Sequence, residues 1–347
     1  MEIHTSTEQE ERHWNDFVKK HYPPVGAFMQ SFEWGEFQKS LGRSVERYLV
    51  IEEGVTIAAF SLAYYTLPFS LQYAYSSRGP VFDSSIGIER QWHIFQAIRN
   101  WIKTNKPELL FVRLEPPIIP YPQSKIPAGF YIPKYYIQPK HNLAIPLDVS
   151  EKEILATFHS STRSNISRAE RRGVTVEMKD KLTEEDYQHF FNMIAETLKR
   201  NGGKGVYPGE SYFRSLVKAM PLVGAKDYSG KTGLTLWYAY QEGKVATAYF
   251  VLFFAGTATY LFGASYSNSL NSKATTYLHW AAMKEAKKRG MHFYDLGGID
   301  EKRWPTITTY KRQFRGREFG YLGNIDIPIR PFLYRLYNAV RVLRRTE

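Results

Sequence analysis

Tyr294-Asp295-Leu296-Gly297-Gly298-Ile299-Asp300, followed nine residues later by Tyr310-Lys311-Arg312-Gln313-Phe314-Arg315-Gly316, is the stretch around which this chain is organised. Residues 292–296 read as a short buried strand fed by a helix that ends near Arg289-Gly290. Gly297-Gly298 is expected to break that strand, because two residues without Cβ let the backbone turn sharply or approach a ligand closely. Beyond the turn, Lys302, Arg303, Lys311, Arg312, Arg315 and Arg317 are set against Glu301, with Trp304, Tyr310 and Phe314 between them. Cations interleaved with rings at a strand end suit a polyanion that also presents flat groups, such as a nucleic acid. A solvated loop after a core strand is the alternative, and charge alone leaves both open.

Working outward, the same order of elements occurs twice. In the second half, helices over 183–200 and 211–220 precede strands over 234–240, 245–254 and 258–263, then a helix over 275–289 and the strand at 292–296. In the first half, helices over 8–20 (Thr7 as N-cap) and from Ser31 precede strands over 45–52, 55–67 and 71–77. A helix over 88–104 and a strand over 109–114 complete it. Glu53-Gly54 and Gln241-Glu242-Gly243 mark equivalent hairpins. Duplication at this scale predicts two similar α+β domains, over 1–148 with 325–347 and over 149–324. Pro116, Pro117, Pro120, Pro122 and Pro127 make a stiff connector.

Two more basic features stand out. Residues 160–173 read as a helix ended by Gly173, with Arg163, Arg168, Arg171 and Arg172 placed for phosphates or simply solvated. Residues 331–345 read as an amphipathic helix with Leu333, Leu336, Tyr337, Val340 and Leu343 on one face. Arg335, Arg341, Arg344 and Arg345 lie off that face. Such a helix docks on a core or meets a membrane surface.

Composition agrees with a polyanionic partner. The 347 residues carry a net charge of +12 and 25 tyrosines, which favours nucleic acid, phosphorylated substrates or an anionic membrane. The chain has no Cys, which excludes disulfides, thiolate nucleophiles and Cys-ligated metals. The closest His residues, His13 with His21, His93, and His141 with His159, lack metal-ligand spacing. The acidic, polar N-terminus is no secretory signal, and no run approaches the roughly 18 apolar residues needed to span a bilayer. A cytoplasmic protein is expected.

The order of elements resembles the acetyltransferase-like fold of the GNAT superfamily. Its acyl-CoA version needs a Gly-rich turn whose N–H groups cradle a pyrophosphate. The candidate turns, 76–80 with Pro80 and 263–268 with one Gly, do not provide it, so a different acyl donor is expected.

Four motifs then carry a closer resemblance. They are S-T-R-S-N-I-S-R-A-E-R-R-G-V from Ser161, T-Y-L-F-G-A-S from Thr259, Y-D-L-G-G-I from Tyr294 and Y-K-R-Q-F-R-G from Tyr310. In this order and spacing they resemble the Fem family (FemX, FemA, FemB) of peptidoglycan interpeptide-bridge aminoacyltransferases. The lack of sustained heptads between Leu147 and Leu234 makes the chain similar to the short FemX type, without the coiled-coil arm.

The resemblance implies transfer of an amino acid from aminoacyl-tRNA to the stem-peptide amine of UDP-MurNAc-pentapeptide or lipid II, with no metal or organic cofactor. It implies that the first domain holds the precursor's nucleotide-sugar end and that a cleft between the domains leads to a reaction centre near the second. Lys311 matches the cation thought to hold the tRNA 3′ end and to stabilise developing charge, with Tyr310 restraining it by cation–π contact. Trp34, Lys39, Tyr212, Tyr260 and Phe262 match precursor-binding positions. Phe32 stands where a basic residue is expected, and Pro208 where an Arg is expected, with Lys204 or Arg214 as substitutes. Arg163, Arg168, Arg171, Arg312 and Arg315 are the expected tRNA contacts. Asp295, the one acid of Y-D-L-G-G-I, is expected to anchor the glycine turn. Two other readings remain: an aminoacyl-tRNA-dependent transferase with a protein or lipid acceptor, and a non-catalytic RNA-binding GNAT-like protein.

Overall fold

Two Glu-Gly turns close the hairpins from which the sheets are built. Glu53 (φ 51°) and Gly54 (φ 78°) form one; Glu242 (φ 53°) and Gly243 (φ 73°) form the other. In each, both turn residues are left-handed, the geometry whose twist matches the flanking strands. The computed structural model describes residues 1–117, 126–133, 135–200, 202–203, 207–220, 222–224 and 232–343. Pro120 and Pro122 of the connector, Lys204, Arg344 and Arg345 lie outside the described residues.

In chain order the first elements are β1 (Glu2–Thr5), α1 (Glu8–Arg12), α2 (Trp14–His21), α3 (Phe32–Ser40), β2 (Val45–Glu52), β3 (Val55–Thr66), β4 (Gln72–Ser76), β5 (Val81–Phe82), α4 (Ile88–Asn105) and β6 (Phe111–Leu114). Then come β7 (His141–Pro146), α5 (Glu151–Thr157), α6 (Ser160–Arg171), β8 (Thr175–Lys179), α7 (Glu184–Arg200), α8 (Glu210–Ala219), β9 (Gly233–Gln241), β10 (Lys244–Phe254) and β11 (Thr257–Ser265). The last are α9 (Ala274–Lys288), β12 (Phe293–Ile299), α10 (Pro305–Arg312), β13 (Arg317–Gly320), β14 (Ile325–Pro328) and α11 (Pro331–Leu343).

The chain divides into two units, Met1–Lys140 with Gly320–Glu347, and His141–Phe319. In the first, the sheet order is β1-β2-β3-β4-β6-β14, with β5 on β3. In the second it is β13-β7-β12-β11-β10-β9-β8. Each sheet has the expected three strands, antiparallel to one another, then the helix and the last strand, which pairs parallel: β4 beside β6, and β11 beside β12. Phe60, Phe95, Ile98, Val112 and Ile325 centre the first core, and Tyr249, Leu278, Met283, Tyr294 and Phe314 the second.

Local chemistry sets the helix ends. Thr7 and Glu10 form a reciprocal capping box on α1, but the expected helix over 8–20 is interrupted at His13. Thr183 Oγ1 accepts from Asp186 N at the start of α7. Gly173 (φ 67°) follows the end of α6.

Three expectations need correction. Gly297-Gly298 does not end the strand: β12 runs through both, with a bulge between Asp295 and Gly298 that Gly297 (φ 80°) accommodates. The residues before Lys311, for which a solvated loop is one of the two open readings, form a helix, α10, started by Pro305, whose missing N–H costs nothing in the first turn. Residues 141–148 belong to the second unit, where β7 pairs with β12 from Phe293↔Pro146 to Ile299↔His141, and residues 320–324 belong to the first.

Candidate active site

The site in the second unit begins where two parallel strands part. β11 and β12 are in register at Thr257↔Phe293, Ala258↔Tyr294 and Thr259↔Asp295, and pair no further. The next residues, Tyr260 and Leu296-Gly297, therefore stand where the ladder between the two strands ends. Asp295, fully buried, holds the bulge: its Oδ1 accepts from Gly297 N at 2.7 Å and its Oδ2 from Asn142 Nδ2 at 2.9 Å. The anchoring role expected of Asp295 is what these bonds describe.

α10 brings Lys311 to this bulge. Asp300 N donates to Thr308 Oγ1 at 2.9 Å, fixing the helix against the end of β12. Lys311 Nζ donates to Gly298 O at 2.8 Å, its single hydrogen bond among the described residues. An ammonium has three donors, so two remain for a ligand. Burial lowers the Lys311 pKa to about 8, opposed by the Asp295 carboxylate. The charge is costly where it sits and is held there by the fold.

A ring cluster packs beside this end of the ladder. Buried His279 of α9 lies 4.4 Å from the Tyr249 ring, 4.8 Å from Tyr260, 5.9 Å from Tyr294 and 6.2 Å from Tyr310. His279 Nδ1 and the Tyr294 hydroxyl are 3.0 Å apart. Burial, then the Lys311 charge, pull the imidazole pKa down to about 3, so it is neutral. Tyr310, raised to about 12 by burial, packs edge-on against Phe314 at 5.6 Å. Among the described residues its ring does not lie over the Lys311 ammonium: neighbours on a helix point about 100° apart. The expected cation–π restraint is thus replaced by the Gly298 carbonyl.

The structure separates Tyr260 from Phe262. Phe250 pairs with Phe262 and Val251 with Tyr260, leaving Leu261 as a bulge residue. The bulge reverses the alternation, so the two rings point to opposite faces. Tyr260 packs on Tyr249 and His279; Phe262 packs on Phe213 at 4.9 Å and Tyr212 at 6.0 Å. The Tyr260 hydroxyl makes no hydrogen bond among the described residues. A Cβ at Gly263 would stand 2.4 Å from it and 2.4 Å from the Tyr249 ring, so Gly263 is what admits the hydroxyl. Tyr207 donates to Gly263 O at 2.6 Å.

The basic residues sort by their partners. Arg168 and Arg315 are exposed and their side chains make no hydrogen bond or ion pair among the described residues. Among the described residues Arg171 reaches only its own helix, at Ser167 O. Arg163 is turned onto Phe158 O, and Arg312 is held by Glu301 and Glu318. α6 joins the Lys311 segment directly: His159 N and Thr162 Oγ1 both donate to Gln313 O. Arg214 is occupied by Glu184 and Glu210.

In the first unit Trp34 packs between Phe28 and Phe37, at 5.2 and 5.1 Å. Lys39 pairs with Glu36, which also holds Arg47. Beside Phe32 lies Arg47 of β2: its buried guanidinium is 4.1 Å over the Phe32 ring, donates to Phe32 O and is paired with Glu11 and Glu36. Sequence reasoning missed Arg47, Asn142, Tyr207, Tyr249 and His279. His279 alone had a signal, as a lone histidine on the apolar side of a helix. Among the described residues no three His, Asp or Glu converge as a metal site.

The FemAB family model matches residues 9–125 and 236–341. The UDP-N-acetylmuramoylpentapeptide-lysine N(6)-alanyltransferase of Weissella viridescens is 24% identical over 345 residues, covering 92% of this chain and 94% of that protein. The lipid II:glycine glycyltransferase of Staphylococcus haemolyticus is 24% identical over 402 residues, covering 94% and 93%. The crystal structure of FemX aligns with a TM-score of 0.78 at 18% identity over 97% of this chain and 100% of that one, a likeness of fold. The α+β architecture is that of two tandem GNAT-like units. With the motifs, the strand order and most of its length all in agreement, this chain belongs to the FemAB family.

Proposed function

We infer that this chain is an aminoacyltransferase that builds the peptidoglycan interpeptide bridge, moving an amino acid from aminoacyl-tRNA to the stem-peptide amine of a precursor. The related alanyl- and glycyltransferases support the reaction class. They differ in donor amino acid, and one is named for a nucleotide-linked precursor and the other for lipid II. Both precursors are therefore candidate acceptors here, and a lipid-linked one entails peripheral contact with a membrane.

The observation that carries the reading is Lys311: a half-buried ammonium beside the end of the β11–β12 ladder, tied to one carbonyl, with two donors left. In ester aminolysis the acceptor amine attacks the carbonyl carbon and a tetrahedral oxyanion forms. The C–O bond to the tRNA ribose then breaks, and the proton lost by the amine goes to the ribose oxygen. A positioned cation stabilises the oxyanion, by roughly 3–4 kcal/mol if it acts as one oxyanion-hole donor does. Tyr260 offers its open hydroxyl to the acceptor peptide. Arg168, Arg171 and Arg315 meet tRNA phosphates. Trp34 and its surroundings in the first unit take the precursor's nucleotide-sugar end.

Incubation with a charged tRNA pool and each purified precursor, followed by product mass, tests the reading. A precursor heavier by one amino-acid residue, dependent on charged tRNA, is expected. Unchanged mass with both precursors rejects it.

A further inference from the structure

We propose that the outward face of α11, together with Phe69, is a docking surface for an anionic phospholipid bilayer. The expected apolar face of this helix is split by the fold. Leu333, Tyr334 and Tyr337 turn inward onto Leu110 and Phe111. Phe332, Leu336 and Val340, at i, i+4 and i+8, stay outside, 80%, 55% and 42% exposed. They form one continuous apolar stripe on the outside of the helix.

The loop between β3 and β4 adds to the same region. Leu67 and Leu71 pack on the cluster that seats α11, and between them Phe69 is 95% exposed. Phe69 (φ 62°) and Ser70 (φ 56°) are both left-handed, a conformation that bulky side chains avoid. The loop thus holds a phenylalanine out in water at a conformational cost.

Charge selects the partner. Arg330 and Arg335 are exposed beside the stripe, Arg341 follows on the helix, and α11 contains no acid. Residues 66–72 carry no charge. Apolar residues flanked by arginines, on a helix too short and too polar to cross a membrane, fit the interface of a bilayer with anionic headgroups. A fluid interface accepts rings from a loop tip and a helix without a matched pocket. The inference extends the reading of a lipid-linked acceptor, but it is tested with neither tRNA nor precursor present, so its failure leaves the transfer reaction untouched.

The test is co-sedimentation of the full chain with vesicles of phosphatidylglycerol and phosphatidylcholine, against phosphatidylcholine alone. Binding to the anionic vesicles that weakens with salt is expected. Phe69→Ser, on the loop, and the double variant Phe332→Gln/Leu336→Gln, on the helix, should each lower partitioning by about tenfold. Arg335→Gln should lower it by about fivefold. Melting temperatures should not change, since all these side chains are exposed. No binding to anionic vesicles, or wild-type binding by both apolar variants, overturns the proposal. So does a wild-type dimer that the helix variant dissociates without loss of vesicle binding, which would assign the stripe to a second copy of the chain.

Discussion

Lys311 Nζ donates a 2.8 Å hydrogen bond to the carbonyl oxygen of Gly298, across from the buried carboxylate of Asp295. Burial lowers the lysine pKa to about 8, and the Asp295 charge works against the fall. A role as a cation therefore disappears as pH rises through about 8. Comparing wild type with Lys311→Arg isolates this titration, because the guanidinium stays charged and ionisation of the acceptor amine affects both. The ratio of single-turnover rates, wild type over Lys311→Arg, should be flat below pH 7 and fall above 8. A ratio that rises with pH would make Lys311 a base instead.

Arg168 and Arg315, whose side chains are free of partners among the described residues, should contribute more to tRNA affinity than Arg312, which Glu301 and Glu318 already hold. Removing one phosphate-binding cation should reduce the slope of log affinity against log salt by about one. Filter binding with Arg168→Glu and Arg315→Glu should show weaker binding and a shallower slope. Arg312→Glu should change the slope less, while costing two ion pairs. Wild-type slopes for Arg168→Glu and Arg315→Glu would show that these residues do not face tRNA.

Gly263→Ala would place a Cβ 2.4 Å from the Tyr260 hydroxyl and the Tyr249 ring. Overpacking of this kind costs about 1–3 kcal/mol. The melting temperature should drop, and transfer should weaken with it. Tyr260→Phe should leave stability unchanged, since its hydroxyl has no partner among the described residues, and raise the acceptor KM. Double substitution, Gly263→Ala with Tyr260→Phe, should recover part of the missing stability if the clash is with that oxygen.

Much of this was legible because local chemistry and fold agree. The Glu-Gly hairpins, the Thr7 cap and the long helices at 88 and 275 each follow from a few adjacent residues. α10 was not legible, since Thr306-Ile307-Thr308-Thr309 is a β-branched run of low helix propensity. Its helix is held by tertiary contacts such as Asp300 with Thr308. β7 was missed because its partner, β12, lies far away in sequence. Tyr260 and Phe262 look like neighbours on one face until the Leu261 bulge is known. For α11 the periodicity marks an apolar arc but not which half of it the core takes. Lys311 was found from a motif, whereas its carbonyl partner and the histidine beneath it came only from the fold.

Lys311→Met tests most directly whether the Lys311 ammonium faces the oxyanion, because it keeps the volume and removes the charge. Single-turnover transfer from charged tRNA to saturating precursor should fall about 10²–10³-fold, as when one oxyanion donor is removed. Circular dichroism and precursor binding should be unchanged, and Lys311→Arg should recover only part of the rate. A Lys311→Met protein that is folded and transfers at the wild-type rate would contradict this assignment.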